Sequence, residues 1–366
     1  MSNDTSWQID LEEYILEGEP DRAQRAGNWQ TAIGLQAVDG LTTSDYLLET
    51  AKEHIDGRID IAEAQRRIKS YYEEHASREE VEQSHEADTV SSRISEILGE
   101  RAFTFSPTEL RTIHRRLFHE VLPRSGEYRT YNITKKEWVL EGDTVYYASH
   151  GAIEETLAYD FAQERAFEYA GLGKADVVRH ISSFTSDIWQ IHPFSEGNTR
   201  TTAVFMIKYL RTMGYRVGNG PFERHSWFFR NALVRANYED VLNGIAPTTR
   251  FLEEFFENLL YDAHNELKNR YLHIDWLAAR EDARDARGHT GTDQVADQVT
   301  DQVATLLAAL GSAEMSALEL MQALGLSHRP TFRQNYLRPA LEAGLIERTI
   351  PDKPTSRFQK YRAAKR

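Results

Sequence analysis

Residues 192–200 read His-Pro-Phe-Ser-Glu-Gly-Asn-Thr-Arg, at the point where one helical pattern (174–190) stops and another (198–213) starts. A tight Gly-containing turn at that junction makes the second helix begin with unpaired backbone N–H groups and the positive end of its dipole, which together attract anions. Gly197 lets backbone approach a phosphate without a side chain in the way. Asn198 can donate to a phosphate oxygen, and Arg200 adds a planar cation suited to outer phosphates. Glu196 would repel a phosphate unless a divalent cation lay between them. Because Mg2+ takes one or two carboxylates plus phosphate oxygens, Glu196 is the candidate metal ligand. His192, across Pro193, can accept a proton from a hydroxyl near neutral pH and is the candidate base. Phe194 reads as a core anchor.

The periodicity elsewhere is also helical. Ser44–His54, behind a Ser44 cap, and Ala62–Tyr72 form a small helical module broken by Asp56-Gly57. A charged stretch then leads to a helix starting near Val90. Ser106-Pro107 opens another helix, whose apolar face carries Leu110, Ile113, Leu117 and Val121, and whose His114 and His119 need no special role. Further helices are expected at 151–170, 225–241 and 248–270. The exception is 138–147, which reads as two short strands around Glu141-Gly142-Asp143. Residues 276–302 lack an apolar face and look like a linker. From Val303 the order is three helices and then strands around Ile346 and Tyr361, which suits a winged helix.

Length and charge bound the rest. At 366 residues, two or three compact units are expected. No apolar run approaches the ~18 to 20 residues of a membrane span. The chain has no cysteine, and its first residues are acidic, so the expectation is a cytoplasmic protein without disulfides. Residues 1–100 hold 23 acidic against 9 basic side chains, which is the whole net charge of −14. Residues 313–366 reverse the sign with 10 basic against 5 acidic, so the two ends are expected to do different jobs.

Taken together, the string His192–Arg200 resembles the signature of the Fic family, and the resemblance extends over about residues 90–275, including Gly126-Glu127-Tyr128-Arg129-Thr130-Tyr131-Asn132. It implies a mainly α fold with an all-helical core and a β-hairpin flap, and a protein adenylyltransferase. In such an enzyme a His deprotonates a Tyr, Thr or Ser hydroxyl, which attacks the α-phosphate of ATP. On these residues the base is His192 and the Mg2+ ligand is Glu196. Asn198, with the Gly197 and Thr199 backbone, would meet the α-phosphate, and Arg200 the β- or γ-phosphate. Phe229 and Asn237 match the stretch that lies by adenine in relatives. The flap, about 136–148 with Trp138 and Tyr146, would pair with the target as an added strand. Thr199 stands where relatives have Gly or Lys, and Ala203 where many have a second Arg.

Residues 30–75 resemble small helical antitoxins that insert a Glu against the γ-phosphate site. Asp39, in Leu35-Gln36-Ala37-Val38-Asp39-Gly40, is one inhibitory candidate and Glu96, in Ser92–Glu96, is the other. With Ala203 in place of the second Arg, the brake is expected to be weak. The C-terminal module resembles winged helices that follow such cores, and Arg329, Arg333, Arg338, Lys353 and Arg357 could meet DNA or a protein. The domains expected are therefore an antitoxin-like module (1–85), a catalytic domain (86–275), a linker (276–302) and a winged helix (303–366). The implied partners are ATP and a protein hydroxyl, including the chain's own. Open alternatives are DNA regulation with a vestigial core, phosphate transfer and AMP removal on the same core, and assembly of several copies.

Overall fold

The computed structural model describes residues 20–75, 79–217, 220–274, 301–311 and 313–324, with 326, 332, 336–337, 340–341, 345–349 and 359–364. Two compact units are present, one of Met1–Val139 with Asp143–Lys268, the other of Leu140–Gly142 with Asn269–Arg366. The described residues are mainly helical, and none of their helices is long and apolar enough to cross a membrane.

The first unit opens with α1 (Pro20–Gly34), a helix the sequence did not announce, which runs into a 3-10 turn at Leu35–Asp39. Then come α2 (Asp45–Ile55), α3 (Ile61–His75) and α4 (Glu79–Gly99). Ser44 caps α2 as expected, its side chain accepting from the Leu47 N–H. The boundary expected near residue 86 is corrected, because α4 passes through it unbroken. The helix expected to start near Val90 begins earlier, at Glu79, and Ala87, Asp88 and Val90 lie on a buried face of α4, which packs against α1 and α3.

The helices that carry the site are α5 (Pro107–Phe118), α6 (Ile153–Ala166), α7 (Lys174–Ile191), α8 (Asn198–Thr212), α9 (Gly220–Ala236) and α10 (Arg250–Tyr261). Ser106 caps α5 with Pro107 in its first turn, as the sequence predicts. Helix α9 begins earlier than expected and is kinked at His225. The end of α1 is set against α9 by direct backbone contact. A Cβ on Gly34 would lie 2.4 Å from the Glu223 Cα, and Ser226 Oγ donates to the Gly34 carbonyl at 2.6 Å.

The hairpin expected at 138–147 is corrected too. The chain reverses there, with the Glu137 N–H donating to the Asp143 carbonyl at 2.9 Å, but Trp138–Leu140 is a 3-10 turn and no strand forms. The reason is side-chain direction: a strand alternates its faces, whereas the adjacent Val139 and Leu140 are both buried. Glu141 and Gly142 complete the reversal with φ of 56° and 90°.

In the second unit, α11 (Asp301–Leu310) and α12 (Ala317–Ala323) pack with a three-stranded antiparallel sheet of β1 (Met315–Ser316), β2 (Ile346–Arg348) and β3 (Lys360–Ala363), in the order β1-β3-β2. Strands around Ile346 and Tyr361 were expected, and β1 adds a third. Its core includes Leu306, Leu310, Leu320, Phe332, Tyr336 and Ile346. Arg329, Arg333, Arg338, Lys353, Arg357 and nearly all of the expected linker lie outside the described residues.

Candidate functional site

The turn between α7 and α8 brings the predicted residues together. His192 ends α7 in the left-handed region, φ 49°, and Gly197 starts α8 at φ 71°. Glycine is required at 197 on two counts: that backbone conformation disfavours side chains, and a Cβ there would lie 2.4 Å from the Phe118 ring. The Asn198 amide is spent on the loop itself, accepting from the Phe194 N–H at 3.0 Å and donating to the Phe194 carbonyl at 2.8 Å. Thr199 Oγ1 accepts from the Trp189 indole at 3.0 Å, which stitches α8 back to α7. What these two residues turn toward an anion is thus the backbone N–H groups of the first turn of α8.

Two residues that the sequence reading passed over fix this loop. The Arg129 side chain donates to the carbonyls of His192 at 2.8 Å, Ile191 at 3.2 Å, Tyr131 at 2.8 Å and Ala148, while its N–H donates to the Pro193 carbonyl at 2.9 Å. His114 lies stacked on Phe194, ring centroids 3.7 Å apart. The Gly126 N–H donates to its Nδ1, so Nε2 carries the proton and donates to the Glu196 carbonyl at 3.1 Å. Burial holds the His114 imidazole down to about 4, keeping it neutral in this role. Arg129 stood inside the quoted 126–132 stretch, but nothing local marks His114.

His192 is 2% exposed, and neither ring nitrogen has a hydrogen-bond partner. Tyr147 packs on its ring at 4.2 Å between centroids, and Trp189 meets it edge-on at 5.3 Å. Burial first, and then the positive charges of Lys135, Arg230 and Arg129, hold its imidazole well below the ordinary value. The ring is therefore neutral and has a free lone pair. Glu196 is exposed at the lip of the turn. No group of three His, Asp or Glu side chains suited to a metal exists among the described residues. A lone carboxylate fits an ion whose other ligands come from phosphate and water, as Mg2+ prefers, and does not fit a cation caged by protein.

Arg200 is 2% exposed, and its guanidinium lies over the Phe118 ring at 4.8 Å. Three groups from the front of the chain hold it. Asp39 Oδ2 lies 2.7 Å from Nε, Glu86 Oε1 2.6 Å from Nη2, and Gln36 Oε1 3.0 Å from Nη1. Burial opposes ionisation of Asp39, but the charges of Arg200, Lys135 and Arg230 outweigh it and hold the carboxyl below its usual range. Gly40 ends the 3-10 turn at φ 68°, and Asp39, the last residue of that turn, reaches Arg200 from there. Asp39 thus meets Arg200 itself, and not the position of Ala203 where the sequence reading placed its missing partner. Glu86 and Gln36 were not foreseen. Glu96 sits elsewhere, 3.4 Å from Arg116 and accepting from Gln65 at 3.3 Å.

The other site candidates resolve as structure. Phe229 is fully buried among Phe222, Phe255 and Phe256, a core position that leaves no face for a base. Asn237 Nδ2 donates to Ser186 Oγ at 2.8 Å and the Leu233 carbonyl at 2.9 Å, so it closes α9 onto α7. On the flap, Tyr146 is 83% exposed and its carbonyl accepts from Gln190 at 3.2 Å, while Trp138 is half-buried.

Comparison with known proteins agrees with this geometry. Residues 104–210 match the Fic/DOC family, and residues 301–364 match the family described as Filamentation induced by cAMP protein Fic-like, C-terminal domain. The chain is 28% identical over 174 residues to Protein adenylyltransferase VbhT of Bartonella schoenbuchensis, 47% of this chain and 34% of that one. It is 27% identical over 162 residues to Probable protein adenylyltransferase y4lH of Sinorhizobium fredii, 44% of this chain and 79% of that one. It is also 28% identical over 120 residues to Probable protein adenylyltransferase Fic of Escherichia coli, 32% of this chain and 56% of that one. The match thus spans about a third of the first relative's length and over half of the third's. Among solved structures, a Fic family protein from Desulfovibrio desulfuricans G20 is similar at 22% identity and a TM-score of 0.44, covering 100% of this chain and 98% of that one. The whole His192–Arg200 turn lies inside the segment that matches the Fic/DOC family, and α11, α12 and the three strands lie inside the segment that matches the Fic-like C-terminal domain.

Proposed function

We propose that the chain transfers AMP from ATP to a hydroxyl of a protein. The observation that carries this reading is His192: a buried, neutral imidazole with both nitrogens unpartnered, one turn from a helix start that favours phosphate. The hydroxyl proton passes to His192 as the oxygen bonds to the α-phosphorus, and the bond from that phosphorus to the bridging oxygen breaks, releasing pyrophosphate. The α8 N–H groups hold phosphate oxygens, and Mg2+ beside Glu196 would neutralise charge on the departing pyrophosphate. A bound triphosphate also offsets the positive field of Lys135, Arg230 and Arg129, which removes that part of the depression and makes the imidazole more basic when a proton must be taken.

In the state seen here, Asp39 and Glu86 occupy the guanidinium edge of Arg200 that an outer phosphate would use, so the front helices hold the enzyme off. The test is mass spectrometry of the chain after incubation with ATP and Mg2+. An added AMP supports the reading, including self-modification, whereas an added phosphate or no change counts against it.

A further inference from the structure

Arg200 is the one arginine that the turn and α8's first two turns present, since Ala203, where a second cation could stand, is buried in the core. A triphosphate carries more charge than one guanidinium can balance, which directs attention to cations outside the signature. The arm leading into the flap supplies one. Exposure alternates along it, with Thr134 and Lys136 exposed, Ile133 and Lys135 half-buried and Glu137 buried, so Lys135 and Glu137 share the inward face of an extended segment. Glu137 is fixed there by Arg230 of α9, with oxygens 2.7 Å from Nη1 and 3.0 Å from Nη2. The Lys135 N–H donates to Thr144 Oγ1 at 3.2 Å, which ties the arm to the returning chain.

These anchors set Lys135 beside Glu137 on the inward face, near enough to the carboxylates of Asp39, Glu137 and Glu196 and to the guanidinium of Arg230 for their charges to act on its ammonium. Arg230 is engaged by Glu137 on both terminal nitrogens, and Arg129 is saturated by carbonyls. Lys135 differs from both. Among the described residues its side chain makes no hydrogen bond or ion pair, although it stands among acids and is half-buried. A strongly hydrated point charge kept in that position without a partner is suited to an anion that arrives with a ligand.

We propose that Lys135 binds the outer phosphates of the nucleotide and, with Arg200, makes the site select triphosphate over monophosphate. This rests on the nucleotide-transfer reading and names a residue for it. It also gives Asp39 a second electrostatic partner besides Arg200.

The test is equilibrium binding of ATP, ADP and AMP, each with Mg2+, to the full chain and to Lys135→Met and Lys135→Arg. Lys135→Met is expected to weaken ATP tenfold or more and AMP less than twofold, while Lys135→Arg keeps ATP within about threefold. Equal losses for ATP and AMP would mean the flap was damaged and overturn the proposal, as would unchanged ATP affinity in Lys135→Met. If wild type binds ATP selectively and Lys135→Met loses that selectivity, yet no AMP is ever transferred, the phosphate site stands and the transfer reading falls. Absence of any nucleotide binding by wild type sinks both.

Discussion

Asp39 Oδ2 lies 2.7 Å from Arg200 Nε, and this contact joins the front helices to the one side chain of the signature turn best suited to an outer phosphate. Glu86 and Gln36 hold the other two nitrogens, so no single deletion frees the guanidinium. The Asp39 contact is an ion pair and the Glu86 contact a charge-assisted hydrogen bond, and with acid side chains 33% and 30% exposed each contributes on the order of 1 kcal/mol. Asp39→Ala should raise the initial rate of AMP transfer about tenfold, and Asp39→Ala with Glu86→Gln by more than either change alone. Initial rates at saturating ATP decide it. If the double variant is no faster than wild type, the contact is not a brake.

His192→Ala should abolish transfer while ATP affinity changes little, because the imidazole acts on the incoming hydroxyl. Single-turnover assays beside binding isotherms separate the two. Transfer surviving at the wild-type rate would remove His192 from the chemistry.

Glu196→Gln should displace the Mg2+ dependence to higher concentration with little change in the thermal midpoint, since the side chain is exposed and holds nothing together. An Mg2+ titration of the rate that superimposes on wild type would mean that the ion is held without Glu196.

Asp88 predicts how stability varies with pH. It is fully buried, accepts from the Ser44 N–H at 2.9 Å, from the Tyr72 hydroxyl at 2.6 Å and from Ser44 Oγ, and burial pushes its carboxyl up to about 6. A raised acid pKa means that the folded chain holds the proton more tightly than the unfolded one. Its stabilisation is therefore full below the ordinary value of 3.8 and is lost as pH rises through about 6. The loss is roughly 3 kcal/mol. Asp88→Asn should flatten the decline in urea midpoint between pH 4 and pH 7. An undiminished decline would assign the effect to another group.

What could be read from the sequence was local. His192, Glu196, Gly197 and Arg200 converge because they lie within one nine-residue string, and the Ser44 and Ser106 caps needed only their own helices. Asp39 came from a short stretch with Gly40 at its end. Gln36 and Glu86 meet Arg200 across 164 and 114 residues, a separation that periodicity cannot bridge. Resemblance alone places Phe229 by adenine, since its spacing on the helix is the same whether the face meets a ligand or α10. The strands of the flap failed for a comparable reason. The polar and apolar order at 138–147 suits a hairpin, but burying Val139 and Leu140 side by side requires a turn.

The Arg129 side chain and backbone N–H between them collect the carbonyl oxygens of Ile191, His192 and Pro193 on the rear of the loop. The loop is thereby polarised like a small capacitor, with its oxygen plate short-circuited by one guanidinium and its nitrogen plate, the start of α8, left facing the ligand. Peptide dipoles do not titrate over the range in which Asp39 and His192 gain or lose protons. The attraction for phosphate therefore outlasts changes of pH that switch the base and the brake, so acidification should silence chemistry well before it empties the site.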